Sequence, residues 1–255
     1  MINPLITFII ATYNSGKTLN ETIESILIQT YNKFEIIIID GGSTDDTVQI
    51  IEKFSNKIKY WISENDRGIA HAFNKGLAVS SGDYINFQGS GDSINSSSSL
   101  SEIFLERNFE EDFVIARINR VSAEDSKKVL WTSTKNSPSF NLDSLAWRMS
   151  MHHQALFTSK VYFLNYGNFD ETLKFSMDYE HLLRSFKFSP TIFTSNVIFS
   201  NWRKDGIGEN KELEIFDEYN LIKHKHKIKP NWHLYFIDKF IRIKYLIKVG
   251  FGLLK

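Results

Sequence analysis

The sequence predicts an α/β protein in which a mostly parallel central sheet of Rossmann type is flanked by helices and followed by a C-terminal helical tail. Two observations carry this prediction. Short runs rich in β-branched residues alternate with amphipathic segments of helical spacing along the first part of the chain. Two of these runs also end in glycine-rich turns that carry a carboxylate, Asp40 in one and Asp92 in the other.

The first 92 residues follow a repeating strand–helix pattern. Apolar runs predict strands at 5–10, 34–39, 58–62 and 84–87, and helical spacing predicts helices at 19–27, 47–54 and 72–77. Parallel strands joined by helices place their carboxyl ends at one edge, where open α/β sheets bind ligands. Asp40 and Asp92 should therefore meet in a nucleotide-and-metal site. Ser43, with Asp46 three residues later, should cap the helix at 47–54.

The second half carries a less regular pattern. It predicts strands at 112–118, 128–132 and 191–199, helices at 100–107, 179–186 and 209–226, and a polar loop over the site at 136–143. No internal repeat or linker interrupts the chain. We therefore expect one catalytic domain at 1–230, with a nucleotide-binding half at 1–92 and an acceptor half at 93–230, followed by a basic helical tail at 231–255.

Composition excludes several classes of protein. The 255 residues include 30 Lys plus Arg and 30 Asp plus Glu, so no overall charge favours nucleic acid as a partner. The absence of cysteine excludes disulfides and thiolate metal sites. A dinucleotide enzyme or a P-loop NTPase is disfavoured because neither glycine-rich phosphate motif occurs. The N-terminus lacks the basic region of a signal peptide and no apolar run is long enough to span a bilayer, so we expect a cytoplasmic protein.

Several short motifs occur in a fixed order between Pro4 and Arg184. They are Thr12-Tyr13-Asn14, Asp40-Gly41-Gly42-Ser43-Thr44-Asp45, Asp66-x-Gly68-Ile69, Asn74-Lys75-Gly76, Gly82-Asp83-Tyr84, Ser90-Gly91-Asp92, His153-Gln154 and Asp178-Tyr179-Glu180. This set resembles the inverting family 2 glycosyltransferases with a GT-A fold, especially the bacterial branch that builds colanic acid and O-antigen polysaccharides. The resemblance implies transfer of a sugar from a nucleotide-diphosphate donor, expected to be a UDP-sugar, to a glycan or lipid-linked acceptor.

The resemblance also implies a nucleotide-binding site at the ends of the first strands. Asp40 would hydrogen-bond the uracil ring, with Thr12 and Tyr13 beside the base, although a plain helix cap is the alternative for Asp40. Arg67 would lie near the nucleotide or be a solvated surface arginine. His71 stands where the family often has an aspartate. The other residues that the resemblance assigns to the nucleotide are Asn14, Gly41, Asp66, Lys75 and Ser90.

A divalent metal, Mg²⁺ or Mn²⁺, is the cofactor that the resemblance implies. Relatives commonly carry an Asp-x-Asp-type motif here, whereas this chain has Gly89-Ser90-Gly91-Asp92 with a single acid. One carboxylate is sufficient for Mg²⁺ when two diphosphate oxygens and waters complete its shell. We therefore expect Asp92 to bind the metal, and the alternative is that Asp92 only caps the helix after Ser96.

Displacement with inversion needs a base for the acceptor hydroxyl. Asp178 matches the family's base aspartate at the start of a predicted helix, whose dipole should hold the carboxylate ionised. An N-cap role is the alternative and is compatible with the first. His153 and Gln154 resemble the motif that lines the acceptor side. In an extended segment the side chains of His152 and His153 would point to opposite faces, which argues against a shared metal ion.

The tail at 231–255 is basic and has one apolar face. Phe236, Phe240, Ile243 and Ile247 share that face at helical spacing, and Asp238 is the single acid. The basic residues are Lys239, Arg242, Lys244, Lys248 and Lys255. This pattern suits peripheral contact with an anionic membrane at its inner, cytoplasmic face, where lipid-linked acceptors would be found. Packing on the domain and a dimer contact are the alternatives.

Two other functions are consistent with parts of the sequence. A nucleotidyltransferase would also use acidic metal ligands on an α/β sheet, but only Lys17 offers a basic phosphate ligand near the first strand. A degenerate relative that binds a nucleotide sugar without turnover would explain the single acid of the metal motif.

Overall fold

In the computed structural model, one central sheet contains strands from the start of the chain to its last third. The structure describes residues 3–133, 142–147, 149, 151–204, 206 and 208–251. Apart from its last two positions, the loop expected at 136–143 lies outside these residues.

The described residues form the following strands and helices. The strands are β1 (Ile6–Thr12), β2 (Phe34–Asp40), β3 (Tyr60–Ser63), β4 (Tyr84–Gly89), β5 (Ser93–Ile94), β6 (Phe113–Val121), β7 (Val129–Thr132), β8 (Leu156–Ser159) and β9 (Ile192–Arg203). The helices are α1 (Leu19–Leu27), α2 (Thr47–Lys53), α3 (Ile69–Val79), α4 (Ser99–Phe104), α5 (Leu142–Trp147), α6 (Lys160–Tyr166), α7 (Met177–Phe186), α8 (Glu212–Lys225) and α9 (Asn231–Gly250).

The first four strands form a parallel sheet in the order β3-β2-β1-β4. Thr12 is paired with Asp40, Asp40 with Ser63, and Ala11 with Gly89. The four strands therefore end at one edge, as the strand–helix pattern predicted. This confirms the α/β class and places the glycine-rich turns side by side.

The second half of the sheet is mixed. β8 pairs antiparallel with both β4 and β6, while β9 runs parallel to β6 and carries the short β5 at the other edge. β9 extends beyond the predicted end at Phe199 to Arg203. This extension brings the end of β9 to the turn that contains Asp92, because the backbone N–H of Arg203 donates to Asp92 Oδ1 at 2.9 Å.

Both faces of the parallel half are covered by helices. In β2, Ile36 and Ile38 pack in one hydrophobic core and Ile37 and Ile39 pack in the other, and all four are fully buried. The first core lies under α1, α2 and α4, and the second lies under α3 and the later helices. Burial on both faces explains why the run is continuously apolar rather than alternating.

α8 begins at Glu212 rather than at 209, and two further local details differ from the expectation. The expected cap of α2 by Ser43 and Asp46 is wrong, because Asp45 Oδ1 accepts the Thr47 N–H at 3.1 Å and also the Thr47 hydroxyl. α4 ends at Phe104 rather than 107, since Leu105 is extended and Glu106 has a φ of +59°. Both differences lie in polar segments whose hydrogen bonds compete with the helix.

α9 occupies most of the expected tail and packs on the domain through one face. Leu234 and Ile237 are buried in the core beneath α7 and α8. Among the described residues, no helix is long and apolar enough to cross a bilayer.

Glu35 provides a pH-dependent contribution to stability at the edge of the sheet remote from the strand ends. Burial alone would raise its pKa, but hydrogen bonds from Lys59, Ser81 and Thr7 outweigh burial and lower the pKa to about 2. A carboxylate with a lowered folded-state pKa stabilises the fold above its ordinary pKa, and this stabilisation is lost as the pH falls toward the folded value.

We expect Glu35→Gln to reduce the free energy of unfolding at pH 7 by about 2 kcal/mol. The difference from the wild type should shrink between pH 5 and pH 2, because the wild-type carboxylate becomes protonated there. Urea denaturation at several pH values measures this, with Glu52→Gln as an exposed acid-to-amide control. A difference that stays constant with pH would contradict the role of the ionised carboxylate.

Candidate active site

Asp40 lies at the centre of the edge where the parallel strands end. It is fully buried, and its carboxylate accepts hydrogen bonds from the backbone N–H groups of Gly42 (3.2 Å) and Ser43 (2.9 Å) and from the hydroxyl groups of Ser43 and Ser63 (2.6 Å). These contacts join β2 to β3 and shape the turn that follows β2. Asp40 does not cap α2, which begins at Thr47.

The turns after β1 and β2 hold each other in place. Asn14, at a φ of +47°, donates its backbone N–H to Ser43 Oγ (2.7 Å) and accepts the Thr44 N–H through its side chain (2.9 Å). Tyr13 precedes it and exposes 63% of its surface, while Thr12 is buried. An exposed aromatic ring beside a polar turn gives a flat surface on which a base can stack.

The segment after β3 contributes three of the expected nucleotide residues. Asp66 lies against Gly41, and Arg67 forms an ion pair with Glu171 at the exposed rim. His71 Nδ1 accepts the Arg67 backbone N–H at 3.1 Å, so this histidine holds the turn. Lys75 Nζ lies 2.8 Å from a carboxylate oxygen of Glu64. Arg67 and Lys75 are thus balanced by acids of this chain, a contact that sequence spacing did not predict.

The turn after β4 joins three parts of the fold. Ser90 bonds the Ser15 hydroxyl (2.6 Å), and its carbonyl accepts the Thr18 hydroxyl. Asp92 accepts backbone N–H groups of Arg203 through Oδ1 (2.9 Å) and of Gly89 through Oδ2 (3.3 Å). Asp92 therefore stands where β4 and β9 both end, and these contacts orient its carboxylate.

No metal site is formed by the protein alone in the part of the chain described, because no three His, Cys, Asp or Glu side chains come together there. Asp92 can contribute one oxygen ligand. A Mg²⁺ or Mn²⁺ ion at this position would need most of its ligands from a bound diphosphate and water, a shell that suits magnesium.

Asp178 and His153 form a pair beside β4. Asp178 is the second residue of α7, and its Oδ2 lies 4.0 Å from His153 Nδ1. The His153 ring stacks on Phe73 and Phe87, with centroid distances of 5.5 and 5.2 Å. This apolar floor brings a carboxylate and an imidazole together at the end of the sheet that carries the other candidate residues.

Burial acts on both members of this pair. It raises the pKa of Asp178, although His153 and the Tyr179 N–H oppose the rise. It lowers the pKa of His153, although Asp178 opposes the fall. A carboxylate with a raised pKa is a stronger base than an exposed one, while a neutral imidazole beside it can donate or accept a hydrogen bond.

Gln154 is positioned through its backbone. Its carbonyl oxygen accepts hydrogen bonds from Asn86 Nδ2 (3.2 Å) and Gln88 Nε2 (2.8 Å), both on β4. His152 points the other way and lies between the rings of Trp131 and Trp202. The two adjacent histidines thus face different surroundings, which agrees with the expectation that they do not share one ion.

Glu218 on α8 is a candidate positioning residue that sequence analysis did not identify. Its carboxylate accepts three consecutive backbone N–H groups, from Lys174 (2.7 Å), Phe175 (2.9 Å) and Ser176 (2.8 Å). These residues lead directly into α7 and Asp178. Nothing in the local sequence reveals this contact, because donor and acceptor are more than 40 residues apart.

Glu180 belongs to a separate ionic cluster. Arg184 and His226 both contact its carboxylate, and Lys225 lies 3.3 Å from it. Burial would raise the pKa of Glu180, but hydrogen bonds from His226 and Arg184 outweigh burial and lower the pKa to about 2. Glu180 therefore joins α7 to α8 and faces away from Asp178, as helical spacing indicated.

Two relatives are similar in sequence to most of the chain. A glycosyltransferase of PGL/p-HBAD biosynthesis from Mycobacterium bovis is 26% identical over 213 residues, covering 81% of this chain and 79% of the relative. The chondroitin synthase of Escherichia coli is 28% identical over 217 residues, covering 84% of this chain and 31% of the synthase.

Solved structures share the fold. Staphylococcus aureus TarS 1–349 in complex with UDP has a TM-score of 0.66 and 20% identity, covering 98% of this chain and 75% of that one. Without ligand, the match covers 65% of TarS 1–349. The mannosyltransferase PcManGT of Pyrobaculum calidifontis, in complex with GDP-Man and Mn²⁺, has a TM-score of 0.64 and 17% identity. The match covers 91% of this chain and 66% of that one. The GT-A-type architecture expected from the motifs is thereby confirmed.

The family model for Glycosyl transferase family 2 matches residues 7–163, more than half of the chain, including β2, β3, β4 and all but the first residue of β1. The same residues contain every candidate nucleotide contact, Asp92 and the His153-Gln154 pair. The chain belongs to glycosyl transferase family 2.

Proposed function

We propose that this protein transfers a hexosyl or N-acetylhexosaminyl group with inversion, from a UDP-sugar to a glycan or lipid-linked acceptor in bacterial surface polysaccharide assembly of the colanic acid or O-antigen type. The observation that carries the proposal is the half-buried Asp178 beside His153 and β4, the strand whose following turn carries Asp92. The crystal structures of TarS with UDP and UDP-GlcNAc support a UDP-linked donor for a chain of this fold.

Asp178 acts as the general base in this proposal. Its carboxylate takes the proton of the acceptor hydroxyl while the hydroxyl oxygen attacks the anomeric carbon. The bond from that carbon to the diphosphate oxygen breaks, and the electron pair leaves with the nucleoside diphosphate. Attack opposite the leaving group inverts the anomeric centre. Burial, which raises the pKa of Asp178, makes the carboxylate a better proton acceptor.

The nucleotide would lie over the turns that follow β1, β2 and β3. Tyr13 offers a ring for the base, and the turn held by Asp40 and Asn14 offers backbone N–H groups. Thr12 and Ser90 shape the floor of this site, while Arg67 and Lys75 would have to exchange an acidic partner of this chain for a phosphate. His153 and Gln154 would face the acceptor.

A bound Mg²⁺ or Mn²⁺ would stabilise the charge of the leaving diphosphate. We propose Asp92 as its ligand, because its carboxylate is held at the end of β4 where the donor phosphates would lie. The protein alone offers too few ligands in its described part, so metal binding should depend on the nucleotide.

Membership of glycosyl transferase family 2 argues against a nucleotidyltransferase. A relative that binds a nucleotide sugar without turnover remains the second candidate, favoured by the single acid in the Gly89-Ser90-Gly91-Asp92 turn. Detectable sugar transfer by the wild type decides between the two.

α9 has a surface that the transfer reaction does not use. Its outward side exposes large apolar residues, with exposed fractions of 67% for Trp232, 60% for Phe236, 57% for Phe240 and 51% for Ile247. The opposite side is already buried against the domain through Leu234. Apolar residues on both sides indicate that a second apolar partner covers the outward side.

We propose that this partner is an anionic membrane surface at the cytoplasmic side, where a lipid-linked acceptor would be found. Lys239, Lys244 and Lys248 are exposed on α9, whereas Asp238 is paired with Arg242 at 2.8 Å. Two copies of the helix would bring these like charges together, while anionic lipids would neutralise them. A helix of this kind lies along the interface rather than crossing it.

The base assignment predicts a selective defect in Asp178→Asn. The variant keeps the side-chain shape but cannot accept a proton, so transfer should fall by roughly 10²–10⁴-fold with nearly unchanged donor affinity. A coupled assay of UDP release with isothermal titration of UDP separates the two quantities, and Glu24→Gln serves as an exposed acid-to-amide control. Transfer at close to the wild-type rate would show that the base lies elsewhere.

The metal assignment predicts that Mn²⁺ strengthens UDP binding to the wild type and that Asp92→Asn removes this effect. Both proteins should bind Mn²⁺ weakly without UDP. Titration of UDP with and without Mn²⁺ measures the effect, and a thermal melt shows whether the variant remains folded. An undiminished Mn²⁺ effect in the folded variant would exclude Asp92 as the ligand.

The membrane assignment predicts that the wild type sediments with vesicles containing anionic lipid at low salt and is released at high salt. Phe236→Glu with Ile243→Glu should abolish sedimentation and leave UDP binding intact. Val161→Glu with Leu164→Glu, which changes two exposed apolar residues of α6, is the matched control. Concentration-dependent dimerisation in place of vesicle binding would show that a second copy covers α9.

A further inference from the structure

Two tryptophans and a histidine lie together near the candidate active site, and the proposed reaction uses none of them. The ring centroids of Trp131 and His152 are 5.6 Å apart, and those of His152 and Trp202 are 6.3 Å apart. Trp131 belongs to β7, Trp202 belongs to β9, and His152 directly precedes the 3₁₀ turn His153–Ala155. Three separate segments thus supply one group of rings, which we call the aromatic cluster.

The strand register brings the two tryptophans to one face of the sheet. Arg120 on β6 is paired with Trp131 of β7 on one side and with Trp202 of β9 on the other. Residues paired across strands project from the same face. The guanidinium of Arg120 accordingly lies over the Trp202 ring at 4.7 Å, and its Nη2 is 2.8 Å from Glu209 Oε2. An ion pair therefore lies beside the aromatic cluster.

The aromatic cluster is on the acceptor half of the strand-end edge. β8 is antiparallel to both β4 and β6, so β4 and β6 run in the same direction, and β9 is parallel to β6. β9 occupies one side of β6 from Phe113 to Val121, which leaves the other side to β8 and then to β7. Trp131 therefore stands beyond the start of β8, close to the proposed acceptor contacts His153 and Gln154.

The aromatic cluster also adjoins the groups assigned to the chemistry. His152 precedes His153, whose Nδ1 is 4.0 Å from the Asp178 carboxylate. The backbone N–H that follows Trp202 donates to Asp92 Oδ1 at 2.9 Å. A sugar ring resting on the cluster would thus lie close to both the proposed base and the proposed metal ligand.

The fold leaves the outermost ring of the aromatic cluster open. Trp131 has an exposed fraction of 46%, and its neighbours Val129 and Leu130 are exposed to a similar extent. His152 and Trp202 are half-buried, so they anchor the cluster to the domain. A half-exposed tryptophan on such an anchor presents a large, rigid, flat apolar surface.

A saccharide matches this combination of groups. The C–H face of a pyranose ring is apolar and packs on an aromatic ring, while its hydroxyl groups both donate and accept hydrogen bonds. Arg120 provides donors and Glu209 provides acceptors beside the rings. A purely apolar partner, such as a lipid tail, would instead remove this ion pair from water without replacing its solvation.

We propose that the aromatic cluster binds a pyranose ring of the acceptor, with Trp131 as the ring on which the sugar stacks. This inference rests on the proposed sugar transfer and names the acceptor class within it. The acceptor then already carries a sugar, so the reaction extends a saccharide. An earlier glycosyl transfer must therefore supply that first sugar.

The test is ligand-observed NMR titration of three saccharides, the methyl β-glycosides of glucose, galactose and N-acetylglucosamine, with and without saturating UDP. We expect the wild type to bind at least one of them. Trp131→Ala should lose about tenfold in affinity for it, whereas Trp131→Phe should stay within about threefold because its ring still stacks.

The matched control is Phe188→Ala, which removes an exposed aromatic ring just beyond the end of α7 remote from Asp178. It should bind the saccharide as the wild type does. UDP titration and a thermal melt show whether each variant is folded, and UDP affinity should be unchanged in all three.

Failure of this inference and failure of the proposed function give different results. A wild type that binds UDP but none of the three saccharides would overturn the inference and leave the proposed transfer intact. Equal saccharide affinity in the wild type and folded Trp131→Ala would overturn it as well. A dimer in sedimentation velocity that Trp131→Ala abolishes would assign the cluster to a second copy. A wild type that binds saccharides through Trp131 but no UDP would overturn the proposed function, and with it the role of the saccharide as acceptor.

Discussion

The register of the parallel strands is the constraint on which the site depends. Thr12, Asp40 and Ser63 are paired across β1, β2 and β3, so three strands end at the same level. The Asp40 carboxylate then fixes the turn after β2 from inside the fold. A shift of one residue in β2 would turn Asp40 to the opposite face of the sheet and remove this support.

Asp178, which we propose as the base, lies outside the segment that the family model matches. Asp178 lies on α7, and α8 holds the residues before it through Glu218, while Asn74 on α3 holds the preceding loop through the backbone of Phe169. α3 and α8 therefore both hold this loop. We infer that Glu218 orients α7 and that its loss would reduce turnover more than it would reduce nucleotide affinity.

The sequence was most informative where the residues of one segment alone determine its conformation. β2 could be predicted because a continuous apolar run followed by Asp-Gly-Gly has few alternatives, and the ordered motifs indicated the family. Contacts between distant segments could not be predicted. The approach of Asp66 to Gly41 and the pair formed by Asp178 and His153 depend on packing, which no spacing rule encodes.

The anomeric configuration of the product tests the central claim, direct displacement at the anomeric carbon, most directly. NMR of the first product formed from an α-linked UDP-sugar measures it, with the donor chosen by a thermal-shift screen of UDP-sugars. Our account predicts a β-linked product from the wild type. An α-linked product would require two displacements or front-face attack, and it would contradict the assignment of Asp178 as the base of an inverting transfer.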